Sequence, residues 1–186
     1  MTARPVMADE EFRSHLRAAR TGDEASWSAL YHWLAPQVLG FLRASGVGEA
    51  EDVLGEVFLE VARSIGRFSG DGRGFRAWVF TIARARRVDS IRQSARRSEL
   101  PVDLTTHETL PSRVDVEGEA LAVVGLGDLL AVLDRLTSDQ REVIILKALG
   151  GWTAREVAEI TGRSTGAVEQ LQHRALGSLR QILGEP

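Results

Sequence analysis

The segment 136–183 constrains the fold most, because its capping residues mark out helices separated by tight turns. Thr153 stands immediately before an amphipathic stretch and Glu156 is the third residue after it, which is the capping-box arrangement. Gly162 then fits a helix C-cap, where a positive φ angle costs glycine little. These signals predict a short helix over 154–161, a tight turn and a second helix, which together form a helix-turn-helix.

The second helix of this motif has one apolar and one polar side. Ser164 or Thr165 suits its N-cap. Its apolar stripe has helical spacing and consists of Val168, Leu171, Ala175 and Leu179. Gln170, His173 and Arg174 fall on the other side, where they could meet base edges and phosphates. The motif favours DNA contact, and the alternative is a helical hairpin with a solvated polar face.

The rest of the chain predicts an all-α protein of two small domains. Helical periodicity dominates residues 1–97, which carry 15 arginines and 12 acidic residues, a net charge of +3. The stretch 98–118 has two prolines, no clean period and a net charge of −4, so it is predicted to be an acidic linker. Helices resume near Glu119, so residues 119–186 form the second domain, which contains the helix-turn-helix.

Three local features of the first domain predict where its helices begin and break. Asp23 can cap a helix after the break at Gly22. Pro36 is expected to bend the chain or to open a further helix. The glycine-rich stretch 69–74 is predicted to be a loop, followed by a long helix from about Phe75 to Arg96.

Composition excludes several classes of protein. The sequence has no cysteine, which excludes disulfides, thiol nucleophiles and cysteine-ligated zinc, and which fits a reducing cytoplasm. No apolar run approaches the roughly 20 residues of a membrane span. The first residues lack the apolar core of a signal peptide, and translation could start at Met1 or at Met7. With a net charge of −3, the chain as a whole has little electrostatic attraction to DNA. We therefore expect a partner to supply part of its affinity for DNA.

Two charged helical surfaces are candidates for binding. Asp52, Glu56 and Glu60 are spaced by four, so they line one side of a helix whose apolar margin includes Phe58. This acidic ridge suits a basic protein surface, although a plain solvated face explains the same pattern. Residues 84–97 contain six arginines and one aspartate and could hold a phosphate backbone.

Aromatic residues precede the basic helix and could stack on unpaired bases. At their spacing they more often belong to a core, so Trp78 is assigned to packing. For an enzyme the signal is poor, because the four histidines lie in different elements and no phosphate-binding loop is present. Glu11 and His15 are four residues apart without an evident third ligand, so we expect no metal, no cofactor and no catalytic residue.

Both halves of the chain resemble extracytoplasmic function (ECF) sigma factors, which are promoter-specificity subunits of bacterial RNA polymerase. The sequence EAEDVLGEVFLEVARSIGRF is similar to region 2.2 of that family, GFRAWVFTIARARRVDSIRQSARR to regions 2.3–2.4, and residues 136–183 to region 4. The resemblance covers roughly residues 10–97 and 120–183. It implies a factor that directs an enzyme and is not one itself. Its implied partners are the core polymerase (β′ clamp helices and β), promoter DNA and an anti-sigma factor, with no membrane.

The resemblance also assigns roles to individual residues. Asp52, Glu56 and Phe58 would bind the β′ clamp helices of the polymerase. The residues implied for the −10 element are Arg86, Arg87, Ser90, Arg92, Gln93, Arg96 and Arg97. The residues implied for the −35 element are Arg163, Ser164, Thr165, Glu169, Gln170, His173 and Arg174. The linker would run near the polymerase active site and the RNA exit path.

Three positions depart from the family pattern. Gly55 replaces a common glutamine, Ala85 replaces a frequent asparagine near a flipped-out base, and Glu169 stands where a basic residue is frequent. Glu169 should repel phosphates or accept a hydrogen bond from a cytosine amino group. The alternative function is a helix-turn-helix regulator that binds operator DNA without polymerase, but such a protein needs neither the acidic ridge nor the basic helix.

Overall fold

The structure is a computed structural model that describes residues 7–98 and 130–184, without the side chains of residues 97, 98 and 149. Every regular element in these ranges is a helix, as predicted. The predicted linker 98–118, apart from the backbone of Ser98, and the start of the second domain near Glu119 lie outside the described residues. None of the described helices is long and apolar enough to cross a membrane.

The first domain begins with two helices, α1 (Asp9–Arg20) and α2 (Glu24–Ala44). Asp23 caps α2 as predicted, since its carboxylate accepts a hydrogen bond from the Ser26 amide at 2.7 Å. The alternative in which Pro36 opens a further helix was wrong, because α2 continues through it. Residues on both sides of the proline are buried in the core, and this burial offsets the loss of one backbone hydrogen bond.

Helices α3 (Ala50–Ser64) and α4 (Gly72–Ser98) complete this domain. Helix α4 begins three residues earlier than predicted, inside the expected loop 69–74. The cause is Asp71, whose Oδ1 accepts from the Gly74 amide at 2.7 Å and acts as an N-cap. The buried face of α3 includes Val53, Val57 and Val61 at steps of four residues, followed by Ile65 in a short 3-10 turn.

In the second domain, a helical turn over residues 130–134 precedes α5 (Ser138–Gly150), α6 (Ala154–Thr161) and α7 (Thr165–Leu183). The capping box between Thr153 and Glu156 is present, and Gly162 ends α6 with a φ of 69°. Ser164 caps α7. The helix-turn-helix predicted from these residues is therefore confirmed.

The two domains pack directly against each other. Helix α2 contacts α5, and α4 contacts α6. At the centre of this contact, the ring of Trp152 from the second domain lies 5.5 Å from the ring of Phe80 on α4, centroid to centroid. Trp152 is buried, and Gly150 must lack a side chain because a Cβ atom there would collide with the indole. The chain thus adopts a closed arrangement.

Candidate nucleic-acid and protein interfaces

Helix α7 presents a polar face to solvent while its other side is anchored in the domain. Val168 and Ala175 are fully buried, and Leu171 and Leu179 pack partly against the same core, as the stripe predicted. The outward residues are all exposed and consist of Glu169, Gln170, His173 and Arg174. Together with Gly166 they line one shallow groove. The helix therefore offers hydrogen-bond donors and acceptors, with one carboxylate among them, on a single open face.

The predicted residues at the start of α7 are arranged differently. Ser164 and Thr165 are exposed, but the Ser164 hydroxyl already accepts from the Ala167 amide at 3.2 Å. Arg163 is only partly exposed, and its Nη2 lies 2.6 Å from Oδ1 of Asp139 on α5. Arg163 therefore has an intramolecular partner in this arrangement.

The last turns of α4 carry the exposed part of the basic helix. Arg92, Gln93 and Arg96 are exposed and line one depression with Asp89, while Ser90 is half-buried on the neighbouring side. The side chain of Arg97 lies outside the described residues. Two guanidinium groups and an amide thus share a surface suited to a phosphate backbone.

Two arginines in the middle of α4 are occupied by acids of the same chain. Arg86 is half-buried and pairs with Glu60 of α3. Arg87 is buried, with its side chain 6% exposed, and its Nη1 lies 3.2 Å from Oε1 of Glu142 on α5. Burial lowers the pKa of the Arg87 guanidinium, and the neighbouring Glu142 carboxylate opposes this change.

The burial of Arg87 departs from its expected place on the DNA-binding face. In the closed arrangement this side chain faces the second domain. No local sequence pattern indicates that another domain covers this side of α4. In the closed form Arg87 cannot reach DNA.

The acidic ridge of α3 is present as an exposed surface. Asp52 and Glu56 are exposed, and Glu60 is half-buried beside Arg86. Gly55 lies between them, and a Cβ added there would meet nothing within 4 Å. The fold therefore does not require glycine at this position, and the missing side chain leaves a gap in the ridge.

Phe58 does not lie on that surface, contrary to expectation. It is 6% exposed and packs against Tyr31, with ring centroids 4.6 Å apart, and against Trp27. The exposed apolar residue of the ridge is Leu59, which is 57% exposed. Sequence reasoning missed it, although Leu59 follows Glu56 by three residues and Asp52 by seven, the spacing of one helical face.

The described residues contain no group of three or more histidine or acidic side chains that could hold a metal ion. Glu11 and His15 are an i, i+4 pair with 4.0 Å between Oε1 and Nε2.

Trp78 stacks on Phe68 with ring centroids 5.2 Å apart, in line with its assignment to packing.

Comparison with known proteins shows the family to which the chain belongs. Residues 30–97 match the family model described as Sigma-70 region 2, and residues 126–179 match Sigma-70, region 4. The ECF RNA polymerase sigma factor SigD of Mycobacterium tuberculosis is 31% identical over 94% of this chain and 85% of that protein. The chain belongs to the ECF sigma factor family.

Two further comparisons agree with this ECF assignment. The ECF sigma factor BldN of Streptomyces coelicolor is 33% identical over 89% of this chain, which spans 63% of the length of BldN. Among solved structures, CnrH in complex with the cytosolic domain of CnrY has a TM-score of 0.70 and 25% identity, with 92% of this chain and 96% of CnrH covered. In this ECF chain the region 2 match ends within α4, and the region 4 match contains the whole of α5 and α6 and most of α7.

Proposed function

We propose that this chain recruits core RNA polymerase to promoters by using three separate surfaces. The ridge of α3 binds the β′ clamp helices, the end of α4 holds the −10 element, and the outer face of α7 reads the −35 element. The observation that carries the proposal is the occurrence of all three as exposed surfaces on one chain, in a family of sigma factors. The chain itself catalyses nothing. It directs the polymerase, and it does so in the cytoplasm.

The polymerase contact consists of Asp52, Glu56 and Leu59. Two carboxylates flank an exposed leucine, so a basic partner surface with a small apolar recess is complementary to it. Leu59 takes the apolar part that the sequence had assigned to Phe58, because a residue held in the core by Tyr31 cannot insert into a partner. Gly55 leaves this contact without the polar side chain that is common in the family.

The two DNA surfaces are suited to different forms of DNA. The exposed arginines and the amide at the end of α4 match the phosphates of a strand that is being separated. The face of α7 has the shape and the groups that fit the major groove of a duplex. Binding the −35 element as a duplex and the −10 element as a single strand would favour separation of the two promoter strands at the −10 element.

Domain organisation and partners follow the same proposal. Residues 1–97 form the polymerase and −10 domain, 119–186 form the −35 domain, and the acidic linker 98–118 runs through the basic channel of the polymerase that otherwise holds RNA. The related CnrH is bound to the cytosolic domain of CnrY. We propose that this chain also binds an anti-sigma protein, and that this binding holds it inactive.

Run-off transcription with purified core polymerase tests the function. A library of genomic DNA fragments that contain promoters serves as the template in place of one known promoter. The chain should yield discrete transcripts that core polymerase alone does not produce. A chain that binds duplex DNA tightly but never adds a transcript would instead be an operator-binding regulator. Arg180→Ala, an exposed change at the far end of α7, serves as a control that should keep full activity.

A further inference from the structure

One side of α4 carries a stripe of residues that all contact the second domain. Its members are spaced by three and four residues, so they lie on one face of the helix, and they are Arg73, Arg76, Phe80, Arg84 and Arg87. This stripe differs from the exposed surface formed by Arg92, Gln93 and Arg96. Four of its five members are cationic, and the second domain meets each with an acid, a carbonyl oxygen or an aromatic ring.

The upper part of the stripe converges on one carboxylate. Oε1 of Glu142 lies 3.1 Å from Nε of Arg84 and 3.2 Å from Nη1 of Arg87. Nη2 of Arg87 also lies 3.3 Å from the Ser138 hydroxyl. The Glu142 side chain is 3% exposed, so an acid of α5 is buried entirely against cations of the other domain. Burial removes this carboxylate from water, and in the closed arrangement the two guanidinium groups compensate for that loss, so removal of either the acid or its partners should destabilise the contact.

The lower part of the stripe is held by the turn before α6. The Arg76 guanidinium lies over the Trp152 ring, 3.9 Å from its centroid, and donates to the carbonyl oxygen of Gly150. Arg73 pairs with Glu156, a member of the capping box that starts α6. The helix-turn-helix therefore docks through residues that also form its own structure, namely Trp152 in the turn before α6 and Glu156 in the capping box.

We propose that this stripe is a built-in docking surface for the second domain, and that it acts as a latch. In the closed form Arg87 is sequestered and the two DNA-binding domains are held in one fixed relation. Opening releases Arg84 and Arg87 to solvent, where they extend the phosphate-binding surface of α4. The inference rests on the proposed function, since it concerns how the −10 surface, already exposed at Arg92, Gln93 and Arg96, is extended along α4.

Energy transfer between dyes tests the latch without polymerase. The chain lacks cysteine, so Ala25→Cys on α2 and Gln181→Cys on α7, both exposed positions, give one labelling site in each domain. Glu142→Gln keeps the shape of the side chain and removes the charge. It should lower the transfer efficiency, while circular dichroism shows unchanged helicity. Arg84→Ala should lower it less, because Glu142 keeps Arg87 as a partner.

The affinity for a short single-stranded DNA of mixed sequence then measures how accessible α4 is. Opening adds the Arg84 and Arg87 guanidinium groups to a surface that is already exposed in the closed form, so Glu142→Gln should raise the apparent affinity for this strand and steepen its salt dependence by about 1–2, roughly one for each added phosphate contact. Glu10→Gln makes the same change of net charge at an exposed site of α1 and should leave both measurements at the parental value. Unchanged transfer efficiency in both Glu142→Gln and Arg84→Ala would overturn the latch, as would an affinity gain no larger than that of Glu10→Gln.

Failure of the latch and failure of the proposed function give different results. If the dye and strand measurements change as expected while no variant supports run-off transcription, the latch stands and the sigma-factor function fails. If transcription is robust and the transfer efficiency does not respond, the latch is wrong and the function stands.

Discussion

Nη2 of Arg86 lies 3.2 Å from Oε2 of Glu60, so the third acid of the α3 ridge is paired with the basic helix. Both side chains are about one-third exposed. The pair divides the ridge into an engaged end at Glu60 and a free end at Asp52 and Glu56. It also joins the surface proposed for polymerase to the helix proposed for the −10 element.

We expect the free end of the ridge to carry polymerase binding. Reversing Asp52 and Glu56 to arginine should abolish pull-down of core polymerase, because two attractive charges become repulsive. Glu60→Gln should keep binding, since Glu60 already has a partner. Circular dichroism should show unchanged helicity in both variants. Core polymerase still retained at moderate salt by the reversed variant would contradict the assignment.

Substitutions of the neighbouring residues Phe58 and Leu59 should change different properties, namely the stability of the chain and its affinity for polymerase. Phe58→Ala removes a buried ring and should cost about 3–5 kcal/mol of unfolding free energy. Leu59→Ala removes an exposed side chain, so the thermal midpoint should stay nearly constant while polymerase affinity falls. Thermal unfolding and pull-down of the two variants give the comparison. Normal polymerase affinity in Leu59→Ala would remove this residue from the interface.

Arginines of α4 should differ according to their burial. Arg92→Ala or Arg96→Ala should weaken binding of promoter DNA and reduce the salt slope by about 1 for each lost phosphate contact. Arg87→Ala should instead lower stability, because it leaves the buried Glu142 short of a partner. The measurement is promoter affinity over a salt series. A change in −10 sequence preference with an unchanged slope would show that these arginines read bases.

The pairing of Arg73 with Glu156 should make the stability of the folded chain sensitive to acid. The Arg73 hydrogen bond, with help from Thr153, lowers the pKa of Glu156 to about 2 from its usual 4.5. A carboxyl group with a lowered pKa in the folded state contributes stability above its unfolded pKa, and this is lost as pH falls toward the folded value. The contribution should therefore be full above about pH 5 and should decline from there toward pH 2.

A pH series of thermal midpoints checks this expectation. The parent chain should lose more stability between pH 5 and pH 2 than Glu156→Gln, which cannot titrate at this position. Arg73→Ala should behave more like the glutamine variant, because it removes the main cause of the lowered pKa. Parallel pH curves for all three chains would show that Glu156 does not contribute through its charge.

Local signals in the sequence predicted most of the fold, since capping and periodicity depend on residues close in the chain. Thr153, Glu156 and Gly162 defined the helix-turn-helix correctly. The alternative in which Pro36 opens a further helix failed because burial on both sides of the proline outweighs the lost hydrogen bond. Asp71 extended α4 into a stretch whose glycines indicated a loop.

The candidate sites were less predictable, because exposure depends on what covers a helix. Phe58 and Leu59 are adjacent, and Phe58 is the buried one because it packs against Trp27 and Tyr31 of α2. Periodicity places Arg87 at the edge of a buried stripe. Only the packing of the second domain, through Glu142, decides that it is buried. Contacts between distant segments leave no local pattern from which they could be predicted.

The exposed carboxylate at Glu169 should influence which −35 sequences are bound. It lies beside Gln170 on the open face of α7, and the two line the same groove. A carboxylate near phosphates raises the Coulomb energy of every complex, whereas one at a cytosine edge adds discrimination. We expect Glu169→Ala to tighten binding to unrelated DNA and to weaken preference at one −35 position.

Fluorescence anisotropy on −35 duplexes with each base pair varied in turn measures both effects of Glu169. A good base contact is worth roughly 1–3 kcal/mol of discrimination, so the preferred pair should lose about that advantage in Glu169→Ala. Glu159→Ala, an exposed acid on α6 whose carboxylate pairs with Arg155 of the same helix, controls for net charge. If Glu169→Ala tightens all duplexes equally, the carboxylate acts through its charge alone. Base readout at this position would then be excluded, and the role of α7 in holding the −35 duplex would rest on Gln170, His173 and Arg174.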